Sequence, residues 1–216
     1  MTGLRIIFMG TPEFAVSSLQ KLVESGSNVV AVVTAPDKPA GRGLQLTPSP
    51  VKQYAVSQGI PVLQPEKLKN PDFLEELRSY QADLQVVVAF RMLPEVVWNM
   101  PPKGTFNLHA SLLPQYRGAA PINWAIINGE MQTGVTTFFL QHEIDTGQII
   151  FQETEPIHED DTGGTLYERL MQKGAALVVK TAQAVQDGNY PQIPQPEIEE
   201  LKSAPKIFKE TCQIQW

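Results

Sequence analysis

Leu4-Arg5-Ile6-Ile7-Phe8-Met9-Gly10-Thr11-Pro12-Glu13-Phe14 is the stretch whose reading decides the fold. An apolar run interrupted only by Arg5 is short enough for a buried strand, and Gly10 closes it. Thr11-Pro12-Glu13 then reads as a helix start, with Thr as N-cap, Pro at the first helical position and Glu in the first turn. Phe14, Leu19, Leu22 and Val23 supply the apolar face of that helix until Gly26 stops it, and residues 29–34 form a second apolar strand. Strand, helix and strand in this order imply a parallel pair joined by a right-handed crossover.

Outward from this unit the pattern repeats. The periodicity predicts a helix over 51–58, a short strand over 61–63, a helix over 71–80 and a strong strand over 84–90. A short helix over 93–98, a strand over 104–110 and a helix over 119–127 follow. Strands over 134–140 and 148–154 and an amphipathic helix over 166–185 complete the pattern. Residues 35–50, rich in Pro and Gly, lack periodicity and read as a functional or mobile loop. The fold class that follows is α/β: an open, mostly parallel, Rossmann-like sheet with helices on both faces. Ligands in such sheets bind beyond the carboxyl ends of the strands. Gly10-Thr11-Pro12 stands where a dinucleotide-binding turn would lie, but the GxGxxG fingerprint is missing, which argues against a nucleotide there. Residues 1–188 read as one domain. After it Pro191, Pro194 and Pro196 mark 189–216 as a linker or an extended wrap.

With 216 residues, 42% hydrophobic and 19% charged, the chain can bury a core without staples. A single cysteine, Cys212, excludes an internal disulfide, and no Cys/His spacing suggests zinc or another metal. The start of the chain lacks the features of a signal peptide, and no run approaches the ~20 apolar residues that span a bilayer. A cytoplasmic protein with no membrane partner is expected. The net charge of −6 argues against generic nucleic-acid binding. From Pro36 to Lys52, however, Lys38, Arg42 and Lys52 outnumber Asp37, giving a basic island of +2. Arg42, between Gly41 and Gly43, suits a phosphate contact as well as it suits a solvated loop.

The chemistry gathers in Phe106-Asn107-Leu108-His109-Ala110-Ser111-Leu112-Leu113-Pro114-Gln115-Tyr116-Arg117-Gly118 and in Asp145-Thr146-Gly147. Asn107 and His109 alternate along a predicted strand, so both face the same side, ~6–7 Å apart. An amide donor, an imidazole base and a carboxylate suit acyl transfer to an amine. Plainer readings stand beside this one. Asp145-Thr146-Gly147 and Tyr116-Arg117-Gly118 also make ordinary turns. Ser111–Pro114 is a ligand-contacting loop or simple packing, and Trp124 reads as core. His142 and His158 read as surface or turn residues, His142 being near enough to Asp145 in sequence to line the same cleft.

Asn-Leu-His-Ala-Ser-Leu-Leu-Pro-x-Tyr-Arg-Gly followed by Asp-Thr-Gly resembles the signature of enzymes that use 10-formyltetrahydrofolate. Met9–Val16, Pro36–Gly43, Leu46–Lys52 and Gly118–Ile122 resemble the methionyl-tRNA formyltransferase family in particular. The resemblance runs over the whole chain and implies the formyltransferase fold. It implies a catalytic domain that moves formyl from the folate to the α-amino group of methionine on initiator methionyl-tRNA, with no metal. On it Asn107, His109 and Asp145 match the catalytic positions, Ser111, Leu112, Leu113 and Pro114 the folate loop, and Phe90, Arg91, Met92 and Leu93 the pterin-gripping segment. Lys38 and Arg42 fall in the loop that meets the tRNA acceptor arm.

Three departures stand out. The family usually has Ala-Tyr-Gly and a longer stretch where this chain has Ala89-Phe90-Arg91-Met92-Leu93-Pro94, which puts Arg91 near the pterin pocket. Gln45 stands where many relatives have Lys. The family's C-terminal β-barrel is not in the sequence, so a catalytic fragment, monomeric, is expected. An amino-sugar nucleotide formyltransferase would share the catalytic set, but the loop around Arg42 argues against it. The intact set argues against a folate- or tRNA-binding module without turnover.

Overall fold

A computed structural model of the chain describes residues 3–40 and 45–213. The opening strand β1 (Arg5–Gly10) leads through α1 (Glu13–Glu24) to β2 (Asn28–Val33), and the two strands pair in parallel. Then come β3 (Lys38–Ala40), β4 (Gln45–Thr47), α2 (Pro50–Ser57), β5 (Val62–Leu63), α3 (Pro71–Ser79), β6 (Leu84–Val88), α4 (Glu95–Trp98) and β7 (Thr105–His109). The two-residue β8 (Arg117–Gly118), α5 (Pro121–Ile127), β9 (Gln132–Phe139), β10 (Ile149–Pro156), α6 (Gly163–Asp187) and β11 (Ser203–Ala204) follow.

Seven strands form the main sheet in the order β10-β9-β7-β6-β1-β2-β5. The five from β5 to β7 are parallel, each joined to the next by a segment long enough for a crossover, whereas β9 and β10 run antiparallel. The chain builds outward from β1 to β5 and then returns to the other side of β1. Strand order therefore reverses between β1 and β6, and the carboxyl ends of β1, β6 and β7 share one rim.

Alternation along the strands divides the core. Phe8, Val86, Phe106 and Leu108 pack with Leu19 and Leu22 of α1 and Leu170 and Leu177 of α6. Ile7, Met9, Val33 and Val87 pack on the opposite face with Phe73 and Leu77 of α3 and Val97 of α4. Helices thus cover both faces, as the periodicity predicted. Thr162 and Thr165 cap the start of α6 reciprocally, and Gly188 ends it in the left-handed conformation at φ 68°.

Some expectations are corrected. Within 35–50 the chain forms an antiparallel hairpin, Lys38 opposite Thr47 and Pro39 opposite Leu46. Its described strand residues lack the alternating apolar pattern that reveals strands, and Leu46 is exposed. Its base is pinned by Lys52 to Asp37 at 2.6 Å, Gln64 to Asp37 at 2.7 Å and Thr34 to Ser49 at 2.7 Å. Lys52 is therefore paired with Asp37, which leaves the net +2 of this segment unchanged. The third strong strand ends at Val88 because Ala89 turns left-handed at φ 47°. Trp124 is not core; half-buried, it donates Nε1–H to the Pro205 carbonyl at 2.8 Å. Beyond Gly188 the chain turns back over the sheet, with Ile193 bridging Ile149 and β11 pairing with β8. Among the described residues no helix is long and apolar enough to cross a membrane.

Candidate active site

Because Phe106 and Leu108 enter the core beneath α1 and α6, Asn107 and His109 project from the other face of β7. Asn107 lies opposite Val87 of β6 and Phe138 of β9. Half-buried, its side-chain amide engages no partner among the described residues, so its donors are available to a ligand.

His109 is buried, 6% exposed. Its Nε2 lies 2.8 Å from the carbonyl oxygen of Tyr116. A carbonyl only accepts, so Nε2 carries the hydrogen, and the lone pair of the neutral ring is on Nδ1. Nδ1 faces Oδ2 of Asp145 at 3.9 Å, too far for a hydrogen bond and close enough for charge attraction once Nδ1 is protonated. That carboxylate is held in place by the Gly118 N–H, which donates to Oδ2 at 3.0 Å. The turns on both sides are strained: Tyr116 has φ 59° and Asp145 φ 55°, left-handed values for residues that carry side chains. Gly147 must be glycine here, since a Cβ would fall 1.6 Å from the Phe139 carbonyl oxygen.

The Tyr116-Arg117-Gly118 turn has a backbone role. It presents one carbonyl to His109 and one N–H to Asp145. Gln195 spans the same two turns, donating to the carbonyls of Asp145 and Gly147 and accepting from Arg117. Sequence reading missed it. A glutamine among prolines has no local signature, although it is half-buried between exposed neighbours at 191–194 and 196–197.

The remaining predicted residues divide. Ser111, Leu113 and Pro114 are buried and Leu112 half-buried. The Ser111 hydroxyl donates to the Gln115 carbonyl at 2.6 Å, and Thr136 and Gln152 bond the backbone of Ser111 and Leu113. This loop is braced from within and by β9 and β10, and Leu112 packs over Gly134. Arg91 turns toward the β5–α3 connection, donating to the carbonyls of Glu66 at 2.9 Å and of Pro65, with its guanidinium over the Phe90 ring. Burial lowers its pKa. Met92 is 72% exposed, Phe90 half-buried and Leu93 buried in the α3/α4 core. Lys38 is exposed on β3, and Arg42 lies outside the described residues. His142, exposed, pairs with Glu95 at 3.5 Å and meets the edge of Trp98. Among the described residues no group of three or more His, Cys, Asp or Glu could hold a metal ion. Two surface hollows lie elsewhere, one toward the amino ends of the central strands around Arg78, Asp83 and Gln85, the other along α6 around Glu168 and Gln172.

Residues 4–182 match the formyl transferase family. The chain is 66% identical over 218 residues to the methionyl-tRNA formyltransferase of Parabacteroides distasonis. It is 62% identical over 216 residues to that of Bacteroides fragilis. In both cases 99% of this chain aligns with 67% of the relative. Among solved structures it resembles WlaRD, a sugar 3N-formyl transferase crystallised in the presence of dTDP and 5-N-formyl-THF. That similarity has TM-score 0.69 and 23% identity and covers 93% of this chain and 69% of that one. It also resembles glycinamide ribonucleotide transformylase 1 of Symbiobacterium toebii, with TM-score 0.73 and 20% identity over 89% of this chain and 95% of the other.

Proposed function

The chain belongs to the formyl transferase family, among the methionyl-tRNA formyltransferases, and on that premise we propose that Asn107, His109 and Asp145 are its catalytic residues. The reaction moves formyl from 10-formyltetrahydrofolate to the α-amino group of methionine on initiator tRNA, in the cytoplasm. One observation carries the assignment of roles. His109 is held at Nε2 by a carbonyl, so that Nδ1, the basic atom, faces a carboxylate, and the Asn107 amide on the same face has no partner among the described residues.

The rim suits a folate. The Asn107 amide near the end of β7, unengaged among the described residues, and half-buried Phe90 and Leu112 and exposed Met92 beyond the ends of β6 and β7 make a mixture that fits a flat, amide-bearing ring system. The bound folate supplies an activated formyl carbonyl for attack by the amine. Asn107 donates to the oxygen on which negative charge develops. Nδ1 of His109 takes the proton that the amine sheds as the C–N bond forms, and holds it for return to the leaving nitrogen. Asp145 faces the imidazolium so formed and stabilises its charge. Lys38, on β3, and Arg42 contact tRNA phosphates.

The test combines turnover and binding. Chain at near-stoichiometric concentration, 10-formyltetrahydrofolate and methionine-charged initiator tRNA should yield formyl-methionine. His109→Ala should lower that rate by roughly 10²–10⁴-fold while folate binding is retained. Equal loss of binding and turnover would make His109 a binding residue. Formylation of an amino-sugar nucleotide in place of the tRNA would overturn the assigned acceptor.

A further inference from the structure

The segment after α6 crosses the rim as a strap, and its bonds converge on the two turns that flank His109. Gln195 Nε2 donates to the carbonyl oxygens of Asp145 at 2.8 Å and Gly147 at 2.9 Å. Its Oε1 accepts from Arg117 Nη2 at 2.6 Å and Nε at 3.2 Å. Farther along, the Lys202 carbonyl accepts from the Tyr116 N–H at 2.6 Å, and the Lys202 N–H donates to Gln115 Oε1 at 2.8 Å. Ser203 and Ala204 pair with Arg117 and Gly118. That approach needs a glycine: Gly118 has φ 124°, and a Cβ there would fall 2.4 Å from the Ala204 carbonyl oxygen.

The clamped turns are those that define the catalytic pair. One presents the Tyr116 carbonyl to Nε2, and the other aims Asp145 at Nδ1. Both depend on left-handed backbone at a residue with a side chain, a conformation that persists only when its surroundings impose it. Beside the direct bond from the Gly118 N–H to Asp145, Gln195 bonds both turns at once, the backbone of one and the Arg117 side chain of the other. Only an amide serves there, since the position needs a donor for two carbonyls and an acceptor for a guanidinium. A carboxylate would set negative oxygen against the two carbonyls, and an alanine would leave all of these groups without their partner.

We propose that Gln195 is a positioning residue for formyl transfer, tying the Asp145 turn to the Tyr116–Gly118 turn so that His109 keeps the tautomer whose Nδ1 faces Asp145. The proposal rests on the catalytic reading of His109 and Asp145 given above.

Two variants test it, Gln195→Ala and Gln195→Glu, each read by steady-state kinetics and by 15N NMR of the imidazoles. With only His109, His142 and His158 in the chain, the His109 signals are assignable. Wild type should show His109 protonated at Nε2 when neutral. Both variants should lower kcat by about 10- to 100-fold with KM for the folate unchanged, and the His109 signal should shift to a mixture of tautomers. The glutamate variant is decisive. Isosteric and able to keep Arg117, it should fold even where alanine does not, yet it should still lose kcat. A Gln195→Glu protein with wild-type kcat and a wild-type His109 spectrum would overturn the proposal. The NMR readout needs no turnover, so a wild-type protein that transfers no formyl would sink the functional reading and still leave the strap testable.

Discussion

His109 is made directional by what its two nitrogens meet. The Tyr116 carbonyl takes the Nε2 hydrogen, and the Asp145 carboxylate stands off Nδ1 at 3.9 Å. Asp145→Asn preserves size and can still accept from the Gly118 N–H, but it removes the charge. It should lower kcat by roughly 10²-fold or more while the folate KM is unchanged. Asn107→Ala removes a donor that no group among the described residues engages, so no buried partner there is orphaned and the fold should keep its melting temperature. In steady-state assays it should lower kcat by roughly 10²–10³-fold. Normal kcat in that variant would assign oxyanion stabilisation elsewhere. The face shared by Asn107 and His109 was legible in the sequence because strand alternation is a local rule. Asp145, 36 positions away, was named for His109 from its chemistry and the family resemblance, but the Tyr116 carbonyl on Nε2 was not legible, because a backbone acceptor leaves no mark in the sequence.

At the scale of elements, the connection between β9 and β10 carries Asp145, and Gly147 is its tightest point. Gly147→Ala would drive a Cβ into the Phe139 carbonyl, so the connection must shift and carry Asp145 with it. Activity should fall more steeply than thermal stability, which a melt and a turnover assay on one sample will separate. Helix α6 is anchored on β10 by an ionic cluster. Arg169 bonds Asp161 and Glu155, and Lys173 pairs with Glu155 at 3.0 Å. Bonds from the Arg169 guanidinium, the His158 N–H and the Thr165 hydroxyl hold the Asp161 carboxyl well below its ordinary value of 3.8. Burial opposes ionisation of Glu155, yet its bonds to Arg169 and Lys173 leave its pKa lowered too. A lowered carboxyl pKa stabilises the fold above the unfolded-state pKa, and that contribution disappears as pH falls below it. Arg169→Gln should therefore melt a few degrees below wild type at pH 7, with the gap closing below about pH 4. A gap independent of pH would mean that Arg169 contributes by packing alone.

For the whole molecule, an acidic body meets an anionic substrate. With a net charge of −6 and Lys52 engaged by Asp37, Lys38 is the exposed cation that the described part of the hairpin offers to phosphates. The salt dependence of tRNA binding should accordingly be shallow. Lys38→Ala should reduce the slope of log K against log salt by about 1 or slightly less. An unchanged slope would remove the hairpin from the tRNA interface. The mixed sheet matters at this scale as well: antiparallel β9 ends beside the amino end of β7, with Leu140 N–H on the Thr105 carbonyl, so the β9–β10 connection must fold back to set Asp145 against His109.

What the sequence by itself determined was whatever local periodicity encodes: the parallel strand–helix–strand unit, the α/β class, and the common face of Asn107 and His109. Only the tertiary structure decided the rest. It turned Arg91 toward the Pro65 and Glu66 carbonyls, engaged the Ser111 hydroxyl within its own turn, and laid a hairpin over a stretch that reads as irregular. It also brought Gln195 across to Asp145, a contact between residues 50 positions apart. Side-chain periodicity is set by the backbone of a single element, so it can be read along the chain. A hydrogen bond between distant turns is set by how the elements dock, and no repeat in the sequence records it.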